Sequence, residues 1–484
     1  MSSAGNPGAV TLRSRQQACS RAQCARDGRS LLRREWLPTL AVLLGGVLLQ
    51  SMNVLMLTTV LPSIVGELGG VAMLSWPTTA FLASSIVAAS CAGLLAATVG
   101  ARAAYCAGVA TFGLGALLCS LAPTMGWIVV GRLIQGFGGG LEAAAAYVAV
   151  RATFPEQVWS RTIGLMSTSW SMSVLVGPLV GGMFARFGSW RSAFVATAVT
   201  AGVLAVGAFF ILPAATSVCR TPAPRVPGGR VALICGAIAG TSSASIVGPP
   251  LAKVGLILVA LVALVLMLRL DRVASNPLLP SDAFSLHTPS GVGLWLALLL
   301  CVTYSPLQIY VPIFLQQLHG LDPLAAGFTV ASASLGWTAA SLATAGASER
   351  LRDRLILAGP ATMGVSLMAI ALLTPRPATL LLIPAIVLLG IGIGQCWPFV
   401  AQRVMAGAKA GEEAIAASSV PTVQQMGFAL GAALAGLVAN ASGLAAGVAD
   451  EGMMRAAFWV PASFVVSAML AFVAGLRLRH LRQP

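Results

Sequence analysis

Fourteen apolar runs separated by short basic segments constrain this chain more than any other feature. They cover residues 38–62, 76–99, 103–121, 127–150, 163–187, 192–212, 231–247, 251–268, 292–315, 325–345, 355–373, 380–400, 414–439 and 456–476. Each is close to the roughly 17–25 residues a helix needs to cross a bilayer. In hydrocarbon every backbone polar group must be satisfied internally, so such runs form helices. The expected fold is therefore an all-α integral membrane protein. The runs at 231–247 and 251–268 are short and weak; without them the count falls from fourteen to twelve.

Composition removes the soluble classes. Only 9% of the 484 residues are charged and 57% are hydrophobic, whereas a soluble domain carries about 25% charged residues. The net charge of +15 does not point to nucleic acid, because the basic residues lie between apolar blocks and never form a stripe with interleaved aromatics. Cys91, Cys106, Cys119, Cys235, Cys301 and Cys396 sit within apolar runs, and Cys19 and Cys24 have no second pair to complete a zinc site. No metal or cofactor is expected.

Basic residues also orient the chain. With alternating spans, 23 of the 29 Lys and Arg fall on the side of the N-terminus and five on the other, with Arg132 inside the membrane. By the positive-inside rule both termini face the cytoplasm, in an expected bacterial inner membrane. The organisation is a cytoplasmic tail at 1–37, six helices over 38–212, a linker with two extra helices over 213–290, six helices over 291–476 and a tail at 477–484.

Charge and glycine inside the apolar runs mark the candidate working parts. Arg132-Leu-Ile-Gln135-Gly136 lies within the fourth run and Gly177-Pro178-Leu-Val-Gly181-Gly182 within the fifth. A charge at the bilayer centre costs about 2.5–3.5 kcal/mol on insertion scales, so an intramembrane Arg generally serves a function. Glu142 is the other ionisable residue well inside the first six runs. Ten residues of helix separate it from Arg132 by about 15 Å and about 80°, so the two do not pair directly, while Gln135 shares a stripe with Glu142. A buried carboxyl that takes and loses a proton as a site alternates sides is a coupling element for antiport; the rival reading is a hydrogen bond to a neighbouring helix.

The order of these motifs resembles the major facilitator superfamily. Trp76…Phe81-Leu82 followed by Gly93-Leu-Leu-Ala-Ala-Thr-Val-Gly100-Ala-Arg102 is similar to its signature loop between helices two and three, and the Arg132 run to its fourth-helix motif. Gly177 to Gly182 resembles the fifth-helix motif of its drug–proton antiporters, and Val423-Gln424-Gln425-Met-Gly427 the penultimate helix of the fourteen-helix branch. The resemblance implies two six-helix bundles rocking around a midplane site, and proton-coupled export of small hydrophobic or amphipathic compounds. It implies roles for Glu142, Arg132 and Gln135 in coupling, and for Gly93, Gly100, Arg102, Gly136, Gly177, Pro178, Gly181 and Gly182 in gating. Asn53, Gln395, Trp397, Gln424 and Gln425 are the candidate cavity residues, with Pro398 expected to break its helix. The partners are a small-molecule substrate, protons and lipid.

Three departures qualify the resemblance, the mildest being Ser173 where the fifth-helix motif commonly has Gly. Ala97 and Thr98 stand where the signature loop carries Asp and Arg, which removes one latch of the cytoplasmic gate. The charged run Glu349-Arg350-Leu-Arg352-Asp353-Arg354 is the expected compensation. Asn53 occupies the place of a first-helix Asp and exchanges no proton near neutral pH. An uncoupled facilitator or importer, or a non-transporting receptor, therefore remains open. An enzyme does not, because no run carries paired carboxylates, His clusters or a Ser-His set.

Overall fold

The computed structural model describes residues 34–69, 76–187, 189–213, 250–274, 277–321, 323–377, 379–443 and 449–481, with short pieces at 228–230, 232–233, 236–237 and 240. The described residues are helical and contain no strand. In chain order the helices are α1 Leu37–Leu68, α2 Trp76–Ser120, α3 Met125–Thr153, α4 Glu156–Phe187, α5 Trp190–Ile211 and α6 Pro250–Arg272. Then come α7 Pro289–Ile309, α8 Val311–His319, α9 Pro323–Thr344, α10 Glu349–Leu373, α11 Thr379–Ala406, α12 Glu413–Ala441, α13 Ala449–Ser463 and α14 Val465–His480. Ten described segments are long and apolar enough to cross a membrane by length and composition.

The first bundle is α1–α5 and the second α7–α14, with α6 packed lightly on α12. Leu251, Leu258, Val259 and Val262 of α6 are exposed, which suits a helix facing lipid tails. The weaker predicted run, 231–247, falls largely outside the described residues.

α2 is two spans joined across Gly100, whose φ of 85° and ψ of 157° lie where a side chain is strained. The expected breaks at 99–103 and at 121 are therefore where the sequence placed them. Two single spans of the sequence reading are interrupted. The run 292–315 divides at Tyr310 into α7 and α8, just before Pro312, and 456–476 divides at Phe464, just after Pro461. Proline has no N–H for the helical ladder, so a break near it is the expected response.

Glycines let α3 sink between the two halves of α2. A Cβ on Gly136 would stand 2.7 Å from Phe81 Cα, and one on Gly140 2.7 Å from Ser85 Cα, both in the first half of α2. A Cβ on Gly138 would stand 2.7 Å from Phe112 Cα in the second half. Small residues at such crossings allow backbones to approach and gain dispersion contact where the hydrophobic effect is absent. At the far end of the bundle, Trp190 and Arg191 donate to Glu67, fastening α1 to α5 and holding that carboxyl below its ordinary range.

Gly100→Ala is expected to destabilise the protein by about 1–3 kcal/mol through backbone strain. Gly140→Val is expected to destabilise it at least as much through overpacking. Thermal unfolding in detergent, read by size-exclusion recovery, checks both.

Candidate functional site

The two bundles are clasped at one end, the end that carries Gly100 and Arg102. Arg151, in the last turn of α3, donates to Met405 O in the last turn of α11. Arg161 of α4 donates to Ala345 O just past the end of α9 at 3.1 Å, and Gln402 of α11 to Glu156 O at 3.1 Å. Both arginines thus sit at helix carboxyl ends of the opposite bundle, where a cation meets the negative pole of the helix and orphan carbonyls. Gly93 of α2 adds close packing, since a Cβ there would stand 2.8 Å from Ile415 Cα of α12.

The charged run of α10 stands at the same end, with Glu156 and Arg161 of α4 in the electrostatic surroundings of Arg352. Asp353 pairs with Arg403 of α11 at 3.0 Å, and Arg352 donates to Ala347 O at 2.9 Å. Where the loop Asp is missing, Arg151, Arg161 and Gln402 reach across between the bundles.

One turn behind the clasp lies a cluster of aromatic rings. Ser341 of α9 stacks against Gly164 of α4, and Trp337 stands one turn further from the sealed end. The Trp337 ring is 5.6 Å from Tyr304 and 6.3 Å from Trp397, edge-on to both, and Phe428 is 6.3 Å from Tyr304. Tyr147 of the first bundle meets Trp397, so the cluster joins the two bundles. Trp337 Nε1 is buried without a hydrogen-bond partner.

Within the first bundle, Arg132 is 1% exposed. Its Nη1 donates to Asn53 Oδ1 at 2.6 Å and to Gln135 Oε1 at 2.7 Å, and its Nε to Pro77 O at 3.3 Å. The Phe81 ring lies 4.2 Å from the guanidinium carbon, a cation–π contact. Glu142 is 2% exposed and turns toward α1 and the second half of α2. Its carboxylate and the Tyr105 hydroxyl converge on Gly46, and Tyr105 spends its single proton on Val42 O at 2.9 Å. The Tyr105 hydroxyl is the polar group beside the Glu142 carboxyl. A void of about 10 Å³ beside it, the size of one water, is lined by Gly46, Gln50, Phe112 and Leu204 among others.

The family profile of the major facilitator superfamily matches residues 43–432. The chain belongs to the major facilitator superfamily. It is 34% identical over 467 residues to a probable multidrug-efflux transporter of Mycobacterium tuberculosis, covering 93% of this chain and 96% of that one. It is 26% identical to the tetracenomycin C resistance and export protein of Streptomyces glaucescens, over 84% and 76% of the two chains. Among solved structures, the human organic anion transporter MFSD10 superposes with a TM-score of 0.70 at 14% identity, covering 92% of this chain and all of that one. A proton:xylose symporter superposes with a TM-score of 0.64, also at 14% identity, over 90% and 94%. The protein is a multi-pass membrane transporter and not an enzyme.

Against this superfamily fold the candidate residues separate into groups. Arg132, Gln135 and Asn53 form one cluster, and Glu142 stands apart from it on the same helix, as the ten-residue spacing predicted. Trp397 is in the aromatic cluster. Gln395 instead donates to Thr362 of α10 at 3.2 Å, away from the other bundle, because two positions along a helix turn a side chain by about 200°. Gln424 and Gln425 are half-buried on α12, Gln425 on the stripe of Ser418 and Thr422 that meets α2. Arg102 lies over the Phe209 ring of α5 at 5.0 Å and does not reach the second bundle. Gly177 is buried in the continuous helix α4, and the side-chain positions of Pro178, Gly181 and Gly182 lie outside the described residues.

Pro398 does not break its helix, contrary to the sequence reading. α11 runs unbroken through Pro384 and Pro398. The carbonyl that Pro398 leaves without a helical donor is Gly394 O, and Ser341 Oγ donates to it at 2.9 Å. A neighbouring hydroxyl thus re-satisfies the backbone, which is how membrane helices tolerate proline.

Sequence reasoning missed Tyr147, Tyr304, Trp337 and Gln50. The available signal was position: Tyr and Trp favour the membrane interfaces, so Tyr304 and Trp337 near mid-span were already out of place.

Replacing Arg151 and Arg161 together by Gln is expected to loosen the clasp. The readout is a Gly164→Cys reporter in a background lacking the native cysteines, labelled by an impermeant thiol reagent from the arginine-rich side. Labelling is expected to rise severalfold over the same reporter with both arginines intact.

Proposed function

We propose that this protein exports small hydrophobic or amphipathic compounds in exchange for protons, by alternating access between the bundles at 38–212 and 291–476. The observation that carries the coupling is Glu142, a carboxyl sealed inside the first bundle beside the Tyr105 hydroxyl, whose proton goes to Val42 O. With a proton the carboxyl becomes a donor and the Tyr105 oxygen an acceptor within its pocket; without one, a charge stands in apolar surroundings. The two forms therefore favour different packings of α1, α2 and α3, which is what a coupled cycle requires. Because Glu142 faces the bundle interior and not the aromatic cluster, the proton acts on the cargo through helix packing and not by direct competition.

The cargo reading rests on the aromatic cluster and on the relatives. Rings from both bundles directly behind a sealed end suit the apolar, aromatic lining of a small-molecule pocket. Two relatives are named for multidrug efflux and for resistance and export. In this reading the arginine-rich end and both termini face the cytoplasm, and the clasped conformation holds the cytoplasmic side shut.

The decisive measurement is compound-induced collapse of a pH gradient in inverted membrane vesicles, comparing the native chain with Glu142→Gln over a chemically varied panel. Collapse by the native protein and its loss in the variant is the expected result. Collapse by both demotes Glu142 to a packing role. No collapse with any compound turns the reading to an uncoupled facilitator.

A further inference from the structure

The charge of the first bundle does not balance at Arg132. A guanidinium only donates, so Asn53 and Gln135 both turn their carbonyl oxygens toward it. That leaves the amide nitrogens Asn53 Nδ2 and Gln135 Nε2 buried with no acceptor. Asn53 and Gln135 are fully buried and Arg132 is 1% exposed. One spot thus gathers a full positive charge and two unused N–H₂ groups, held by neutral acceptors alone.

Among the described residues, the hydrogen-bond partners of Arg132 include no carboxylate. Glu142 stands ten residues along α3, about 15 Å away, and Glu67 is held by Trp190 and Arg191. A buried charge without an opposite charge and a buried donor without an acceptor are both costly. One kind of group answers both deficits, an acceptor that carries negative charge. Position supports the same reading. Arg132 lies seven residues from the start of α3, about 10 Å in from the end opposite the clasp, with Pro77 and Phe81 at the start of α2 as its cover.

We propose that the Arg132–Asn53–Gln135 cluster binds a compact anionic group, either a carboxylate borne by a transported compound or a chloride ion. The carboxylate case rests on the transport reading above; the anion site itself does not. Asn53 is what makes the site: an acid at that position would pair with Arg132 from within and leave nothing for a ligand to neutralise. A lipophilic cation is repelled by the same charge.

The test measures binding without flux, so it is independent of whether efflux is found. The purified full-length protein in lipid nanodiscs is titrated with 2-naphthoate and with its methyl ester, in chloride and in isethionate buffers. The native protein, Asn53→Asp and Gln135→Glu are compared, the last supplying the internal carboxylate from the other flank should Asn53→Asp fail to fold. If the site takes a substrate carboxylate, the native protein binds naphthoate about tenfold or more tightly than the ester, as a charge-assisted hydrogen bond provides. The internal acid abolishes that preference. If the site takes chloride, chloride raises the native unfolding midpoint saturably over isethionate, the internal acid removes the rise, and naphthoate shows no preference. Equal binding of acid and ester with no chloride effect in the native protein overturns the proposal. So does an anion effect that survives unchanged in the folded acid variants.

Discussion

The structure depends on the close approach of α3 to both halves of α2. Gly136 and Gly140 meet one half at Phe81 and Ser85, and Gly138 meets the other at Phe112. With side chains at those positions the three rods would stand apart. The approach places Arg132 against Pro77, Phe81 and Asn53, and Glu142 against the second half of α2 near Tyr105 and Gly46. The glycines of the fourth-helix motif thus have a packing role that precedes any role in motion. They create the dry interior in which a guanidinium and a carboxyl acquire chemistry they would lack in water.

The clasp between the bundles uses helix carboxyl ends as its anionic partners. Ala97 and Thr98 remove the acid that related loops supply, yet the ends of α9 and α11 each present carbonyls with the negative pole of a helix behind them. Arg151 and Arg161 reach these from the other bundle. These hydrogen bonds end on backbone carbonyls, while Glu413 and Glu156 add negative charge around Arg151.

Inside the membrane the chain manages its polar groups unequally. Proline-freed backbone is repaired, as Ser341 repairs Gly394 O. The amide nitrogens of Asn53 and Gln135 and the Trp337 indole are left unrepaired. Native interiors satisfy most buried polar atoms, so exceptions that coincide with the family's working helices are informative. The amide nitrogens stand inside the first bundle and the indole in the ring cluster between the bundles.

The amino-acid order alone determined the helical membrane fold, nearly every described span, and the places of Arg132, Gln135 and Glu142 on one helix. Hydrocarbon leaves a long apolar run no alternative to a helix, and helical spacing then fixes which residues share a face. Side-chain partners across helices were not legible. Gln395 and Trp397 look equivalent in sequence, yet one meets Thr362 and the other the aromatic rings, because the rotation of α11 is set by α9 and α10. Pro398 reads as a break until Ser341 is placed beside it. Tertiary packing also decided that Asn53 meets Arg132 with its oxygen, across 79 residues of chain. Spacing along one helix is local geometry, whereas the meeting of two helices depends on every side chain between them.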